Sequence, residues 1–139
     1  MSEAPPSGYA LIDLGKGFSE RFGPVFLDRE LQRMAFRVAE QHLNPVDGCH
    51  GGALATFCDA MIAAVWAGAG TGEAHTPTIT LSVDYFAPAP LGALVEAQIE
   101  LANQTRTMFF VQSFLTVDGR RIGRASAIYR KPNSSGDTK

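Results

Sequence analysis

The residues best suited to chemistry lie between Asn44 and Gly70, where a polar loop leads directly into the one long apolar run of the chain. Asp59 is the single charged residue of that run. Burying a carboxylate is costly unless the group is paired, hydrogen-bonded or used, and carboxylates of this kind are concentrated at functional sites. Asp59 is therefore the first candidate for a general base or nucleophile, and its structural alternative is a hydrogen-bonded core carboxylate.

The loop that precedes the apolar run ends in His50, Gly51 and Gly52. A helix that begins there presents unpaired backbone N–H groups and the positive end of its dipole. Glycine lets a substrate carbonyl approach the backbone closely, and such donors stabilise a tetrahedral intermediate by about 3–4 kcal/mol. The sequence therefore predicts an oxyanion site at this helix start, and the alternative is that the glycines only permit a tight turn.

The spacing of these groups predicts the minimum assembly. Asp59 lies eight residues after Gly51, which separates them by roughly 12 Å along one helix. A reacting carbonyl must lie about 3 Å from both its oxyanion donor and its attacking group. One chain cannot satisfy both, whereas two antiparallel helices related by a two-fold axis can. If both groups are catalytic, the protein is at least a dimer with two shared sites.

A longer set of residues carries a family resemblance. Over roughly residues 18–131 the chain resembles the PaaI-like hotdog-fold acyl-CoA thioesterases, and the residues that match are Asn44, Gly48, His50, Gly51, Gly52, Asp59, Thr78, the string YFAP at 85–88 and Leu91 with Gly92. The resemblance implies an α+β hotdog fold, in which an antiparallel sheet wraps around one long central helix. It also implies dimers formed by pairing of sheet edges, with tetramers common.

The same resemblance implies roles for five residues. Gly51 would supply the oxyanion N–H, and Asp59 of the partner subunit would be the general base or nucleophile. Asn44 would hold the attacking water or the thioester, His50 would lie beside the carbonyl, and Thr78 would hydrogen-bond near the water. The substrate would be an acyl-CoA, with coenzyme A as part of the substrate and neither a cofactor nor a metal required.

Three further residues are candidates for substrate binding. Gly52 extends the glycine pair at the helix start, and Phe86 is one of several large apolar residues, with Phe57, Met61 and Trp66, that could line an acyl pocket. Arg124 belongs to a group of basic residues near the ends of the last strands, and a guanidinium suits the phosphates of coenzyme A. For each of these residues, core packing or a solvated face is the structural alternative.

Length and composition bound the rest. The 139 residues, 45% of them hydrophobic, allow one domain with a single core. We expect a mobile or irregular segment over 1–17, the hotdog domain over 18–131 and a disordered tail over 132–139. A formal net charge of −2 argues against general nucleic-acid binding. The start lacks the features of a signal peptide, so a cytoplasmic protein is expected.

The apolar run could also be a membrane span. Its central Asp59, its glycines and the absence of a basic flank or aromatic belt favour a buried helix instead. Period-two patterns predict antiparallel strands around 22–28, 33–39, 79–85, 93–103, 107–117 and 121–130. In the third strand Ile79 and its alternate neighbours share one face, while Thr78, Thr80, Ser82 and Asp84 share the other. Asp118-Gly119 predicts a hairpin, and residues 68–77 a glycine-rich loop.

Other chemistries are less well supported. Cys49, His50, Cys58 and Asp59 lack the paired spacing of a zinc site, and Cys49 and His50 are too close in sequence for a usual nucleophile–base pair. A hotdog hydratase or dehydratase would pair a histidine with a carboxylate, which His50 or His42 could provide with Asp59. We expect His42 and His75 to be polar surface or loop residues. A non-catalytic acyl-CoA-binding dimer is the third interpretation.

Overall fold

The computed structural model describes residues 3–69 and 76–132. Residues 70–75 of the predicted loop at 68–77 and residues 133–139 of the predicted tail lie outside the described residues. The predicted start of the loop is wrong, because residues 68 and 69 belong to the last helix. Within the described residues the chain forms an α+β arrangement of seven strands, three α-helices and one 3₁₀-helix (Glu40–His42): β1 (Ala10–Ile12), α1 (Phe18–Phe22), β2 (Val25–Asp28), β3 (Arg33–Arg37), α2 (Gly51–Asp59), α3 (Ile62–Ala69), β4 (Thr78–Tyr85), β5 (Leu94–Gln104), β6 (Met108–Val117) and β7 (Arg120–Arg130).

The strands form one sheet in the order β1-β2-β3-β5-β6-β7-β4, and every neighbouring pair is antiparallel. The predicted meander of the last three strands is confirmed. Asp118 and Gly119 both have positive φ, 51° and 78°, as a type I′ hairpin requires. One apolar core unites the inner side of the sheet with α2 and α3. The predicted antiparallel sheet around a central helical segment is therefore present.

The central helical segment contains a tight turn between α2 and α3, at Ala60 and Met61. The Ala63 N–H donates to the Ala60 carbonyl at 3.0 Å, instead of to the Asp59 carbonyl four residues back. The Asp59 carbonyl accepts from the Tyr129 hydroxyl at 2.9 Å. The buried Tyr129 on β7 thus satisfies the backbone acceptor that the tight turn leaves open.

The N-terminal segment differs from the irregular chain expected over 1–17. Ala10–Ile12 forms β1 and pairs with β2, and Ile12 packs against the apolar core. The Tyr9 hydroxyl donates to Glu96 at 2.7 Å, and the Arg33 guanidinium lies 5.3 Å from the centroid of the Tyr9 ring. These contacts fix the segment to the outside of β3 and β5.

The prediction that His42 is a polar surface or loop residue is wrong, because His42 is buried at the end of a short 3₁₀-helix, Glu40–His42. His75 lies outside the described residues. Only 3% of His42 is exposed, and its ring packs between Phe22 and Phe36 with centroids 4.5 Å and 5.0 Å away. Its Nε2 lies 2.7 Å from the Phe22 carbonyl and its Nδ1 accepts from the Ala39 N–H at 2.9 Å. Both ring nitrogens are used, so neutral His42 with the proton on Nε2 ties α1 to the following loop.

The burial of His42 predicts a pH-dependent stability. Burial lowers the pKa of His42, so the unfolded chain binds the proton more tightly. The stabilisation is complete above the ordinary histidine pKa of about 6.5 and is lost as the pH falls towards the folded value. We expect the free energy of unfolding, measured in urea, to fall more steeply between about pH 7 and pH 5 in the wild type than in His42→Gln. Equal slopes would exclude this role.

No helix in residues 3–69 or 76–132 has both the length and the apolar character that a bilayer crossing demands.

Candidate active site

Gly51 and Gly52, at the start of α2, have different roles. His50 is the N-cap with extended backbone, φ −62° and ψ 138°, and its Nδ1 accepts from the Gly52 N–H at 2.8 Å. A Cβ at Gly52 would lie 3.0 Å from that nitrogen, so glycine lets the His50 ring take this position. Gly51 is the first residue of the helix, and its N–H therefore has no acceptor within α2. Gly51 fits an oxyanion donor, whereas the Gly52 N–H is already bound.

Tyr85 fixes the same helix start from β4. Its hydroxyl donates to the Gly51 carbonyl at 2.7 Å, and a Cβ at Gly51 would lie 3.3 Å from the Tyr85 Cζ. Tyr85 belongs to the family motif, but nothing in the sequence alone assigns it a role. Tyr85 and Gly51 are 34 residues apart in the sequence, so this contact becomes visible only once β4 is seen to pack against α2.

The loop before α2 is shaped by the Asn44 side chain. Its Oδ1 accepts from the Val46 and Gly48 N–H groups at 2.9 Å and 3.0 Å. Because both partners are N–H donors, the side-chain atom that they contact must be the oxygen of Asn44. The Asn44 Nδ2 group therefore remains available to donate a hydrogen bond to a ligand. The His50 N–H donates to the His42 carbonyl at 2.7 Å, which fixes the exit of the loop. Asn44 thus holds the loop that presents Gly51.

Asp59 is the last residue of α2 and is half-buried, not enclosed as its apolar surroundings in the sequence suggest. Its Oδ1 accepts from the Thr78 hydroxyl at 2.7 Å. The prediction that the Thr78 side chain lies on the same face of β4 as Ser82 and Asp84 is wrong. An irregularity in the β4–β7 register places Thr78 opposite Tyr129 but Thr80 opposite Ile128. Such a bulge redirects a side chain, so Thr78 leaves the face of Ser82 and Asp84 and reaches the helix.

The candidate residues of one chain therefore form two groups. Gly51, His50 and Asn44 lie at the start of α2, and Asp59 with Thr78 lies at its end. Gly51 and Asp59 belong to one uninterrupted helix, so their separation of roughly 12 Å along its axis applies in the folded chain.

Phe86 and Arg124 lie near each other, at the Tyr85 end of β4. The Arg124 guanidinium is 6.0 Å from the Phe86 ring centroid, and its Nε donates to Asp84 at 2.7 Å. Arg124 also lines a depression of about 650 Å³ on the outer face of the sheet, among residues of β4 to β7. Neither side chain lies beside Asp59 of its own chain.

Asp59 also borders a cavity with a volume of about 750 Å³. This cavity lies between residues 11–29 and the outward side of α2 and α3. Among the large apolar residues suggested by the sequence for an acyl pocket, Phe57 and Trp66 line this cavity. Met61 is instead buried in the core.

The cysteines are not activated. Burial raises the pKa of Cys49 to about 11. Burial, and then the charge of Asp59, raises the pKa of Cys58 to about 12. Both therefore remain protonated near neutral pH and are poor nucleophiles. Within 3–69 and 76–132, no three His, Cys, Asp or Glu residues are grouped so that they could hold a metal ion.

Comparison with solved structures supports the fold. A mutant of the phenylacetic acid degradation protein PaaI from Thermus thermophilus is 21% identical, with a TM-score of 0.64 over 89% of this chain and 93% of that one. A hypothetical thioesterase from Streptococcus pneumoniae, solved with coenzyme A, is 20% identical, with a TM-score of 0.66 over 97% of this chain and 98% of that one.

A third structure, a Streptococcus mutans protein bound to acetyl-CoA, is 18% identical, with a TM-score of 0.65 over 94% of each chain. No curated protein sequence matches the chain significantly. These likenesses confirm the predicted hotdog fold.

The sequence itself matches the family model of the thioesterase superfamily over residues 48–124. The matched region is more than half of the chain, and it contains Gly51, Asp59 and Thr78 but not Asn44. The chain therefore belongs to the thioesterase superfamily.

Proposed function

We propose that the protein is an acyl-CoA thioesterase that hydrolyses an acyl- or aryl-CoA thioester to the free acid and coenzyme A. The observation that carries the proposal is the pair of groups at the two ends of α2. One is a helix-start N–H without an intrahelical acceptor, and the other is a carboxylate held by Thr78. Membership of the superfamily, and the coenzyme A or acetyl-CoA bound to two structural neighbours, support the same substrate class.

The proposed enzyme is at least a homodimer formed through β4. This strand is the last in the sheet order, and most of its residues are exposed. Its Tyr85 end touches the start of α2 and its Thr78 end touches Asp59. Antiparallel pairing of two β4 edges brings the Tyr85 end of one chain beside the Thr78 end of the other. Gly51 of one chain then faces Asp59 of the partner subunit, and the two-fold axis generates two such sites.

The other sheet edge is less suited to this role, since β1 has only three residues. A tetramer, which the family resemblance also suggests, would need a second interface. The outer face of the sheet presents both signs of charge, including Asp84, Glu96 and Arg121, and is the candidate surface for it.

Hydrolysis at this site follows from the chemistry of the two groups. Asp59 of the partner subunit accepts a proton from water, whose oxygen attacks the thioester carbonyl, or the carboxylate attacks the carbonyl directly. The Gly51 N–H donates to the oxygen that becomes negative. The carbon–sulfur bond then breaks, and the coenzyme A thiolate takes up a proton. Water cleaves the acyl-enzyme in the direct route, so both routes yield the same products.

The remaining site residues position these groups. Thr78 orients Asp59, and the Asn44 Nδ2 donates to the water or the thioester oxygen. His50 caps α2 and lies beside the carbonyl. Phe86 and Arg124 lie at the Tyr85 end of β4, which supports a contact with the coenzyme A portion of the substrate.

Thr78 is expected to act through Asp59. Thr78→Val removes the hydrogen bond to Oδ1 while keeping the shape of the side chain, and Thr78→Ser retains the hydroxyl. A hydrogen bond to a charged group contributes about 1.5–3 kcal/mol, which corresponds to roughly ten- to a hundredfold in rate. We expect kcat to fall by this factor in the valine variant, with a changed pH profile, and to recover largely in the serine variant. Equal kcat values in both variants would contradict the role.

Thiol release from a panel of acyl-CoA and aryl-CoA esters tests the proposed function. A thioesterase releases free coenzyme A from at least one ester, whereas a hydratase consumes enoyl-CoA absorbance without thiol release. Both ring nitrogens of the buried His42 are engaged, which argues against His42 as the hydratase histidine and leaves His50 for that interpretation. The absence of thiol release from every ester by the assembled protein would refute the thioesterase.

A further inference from the structure

We propose that the cavity beside Asp59 receives the acyl group and makes the enzyme prefer uncharged, apolar acyl groups of medium length over short ones. This inference rests on the proposed thioesterase function and names the substrate class of that site. Three parts of the chain build the cavity: the N-terminal strap, defined here as residues 11–22, the outward side of α2 and α3, and the segment around β2 that contributes Val25, Leu27 and Arg29.

On the helical wall of the cavity, small side chains lie beside the candidate base, and the larger Phe57, Ile62 and Trp66 complete the wall. Thr56, Asp59, Ala60, Ala63 and Ala67 all line the cavity, and their spacing of three and four residues places them on one helical stripe. Larger residues on this stripe would fill the space. The stripe therefore leaves a channel that begins at Asp59 and runs along α3.

The strap supplies apolar side chains that the chain itself does not cover. Leu11 and Phe18 line the cavity, yet they are 58% and 71% exposed. Large apolar groups exposed around a concave site indicate a ligand surface more than scattered surface residues do. Besides Asp59, the charged lining residues Asp13 and Arg29 are exposed. The enclosed wall is thus apolar and suits an acyl group without charge.

The dimensions of the cavity favour a medium-length group. Asp59 and Ala67 are eight residues apart, and at the helical rise this wall, which includes the tight turn at Ala60 and Met61, extends for roughly 12 Å, about the length of a medium-chain acyl group. The volume of about 750 Å³ lies within the range of pockets that enclose small organic ligands. A short acyl group would leave most of this wall without contact. Each buried CH₂ is expected to raise kcat/KM by up to about fourfold until the channel is full.

The test compares kcat/KM for decanoyl-CoA and acetyl-CoA in the wild type and three variants. Ala63→Leu narrows the channel and should lower the decanoyl-to-acetyl ratio at least tenfold. Phe18→Ser changes a mostly exposed residue, so folding should tolerate it, and it should lower the ratio several-fold. Ala102→Leu is the matched control, because Ala102 is exposed and lies outside the cavity lining. It should keep the wild-type ratio.

A second readout does not depend on turnover. Trp66 lines the cavity and is the only tryptophan of the chain, so intrinsic tryptophan fluorescence reports on this wall alone. We expect decanoyl-CoA to change the emission saturably in the catalytically impaired Asp59→Asn protein. The added Ala63→Leu change should weaken this binding at least tenfold.

The outcomes separate the inference from the proposed function. Saturable decanoyl-CoA binding that Ala63→Leu weakens, without hydrolysis by the wild type, would support the cavity and refute the thioesterase. Hydrolysis with the same decanoyl-to-acetyl ratio in all variants would support the thioesterase and overturn the acyl cavity. Trp66 emission that decanoyl-CoA leaves unchanged would also overturn it, as would an altered oligomer mass in Ala63→Leu, because a second copy would then cover this face.

Discussion

Asp59→Asn is expected to lower kcat for thioester hydrolysis by about 10²–10⁴-fold, the range in which a positioned acid–base group contributes. The amide keeps the size of the side chain and can still accept the Thr78 hydroxyl hydrogen bond. It can neither take a proton from water nor attack a thioester as a carboxylate does. Rates of thiol release at saturating substrate, measured with the best ester of the panel, check this result.

The matched control for this variant is Asp118→Asn. Asp118 is exposed in the β6–β7 hairpin with φ 51°, a backbone conformation that asparagine tolerates well. This control makes the same chemical change outside the site and should keep wild-type kcat. Near-normal turnover by Asp59→Asn, with oligomer mass and thermal stability unchanged, would remove Asp59 from the chemistry.

Gly51→Pro is expected to lower kcat by about 10²–10³-fold, because it removes the proposed oxyanion donor and no other N–H. Proline is well accepted at the first position of a helix. The preceding His50 already has the extended backbone that a following proline requires, with ψ 138°. The substitution therefore removes one N–H group at a helix start that can otherwise persist.

Gly51→Ala is the control for the added atoms. Its Cβ meets the Tyr85 ring at 3.3 Å, as the corresponding atom of proline does, but the alanine keeps the N–H. We expect Gly51→Ala to retain far more activity than Gly51→Pro, with similar unfolding temperatures. Comparable losses in the two variants would attribute the effect to crowding against Tyr85 and would argue against the oxyanion role.

Much of this architecture could be predicted from local pattern. The apolar run after Gly51 predicts the central helix, since a helix buried on most sides needs few polar residues. The period-two pattern and Asp118-Gly119 predict the meander, because turn chemistry and strand alternation are both local. The separation between Gly51 and Asp59 is also local, because it follows from the helical rise per residue. If both groups are catalytic, that separation predicts a site shared between two chains.

The features that could not be predicted depend on contacts between distant parts of the chain. Thr78 reaches Asp59 only because the β4–β7 register shifts at one residue, and strand alternation alone assigns it to the opposite face. His42 is buried because Phe22 and Ala39 occupy both of its ring nitrogens. The tight turn after Asp59 becomes understandable only with Tyr129, which lies 70 residues away. A single sequence carries no local signal for these pairings.

The most direct test of the shared site is complementation between two impaired chains, Asp59→Asn and Gly51→Pro, carrying different tags and purified as the mixed dimer. In this dimer one site combines the intact Gly51 of one chain with the intact Asp59 of the other, while the second site carries both changes. We expect about half of the wild-type activity per dimer, far above either variant alone, because a two-fold dimer has two equivalent sites. A mixed dimer no more active than its parents would show that each site is built from one chain, and would contradict the shared site.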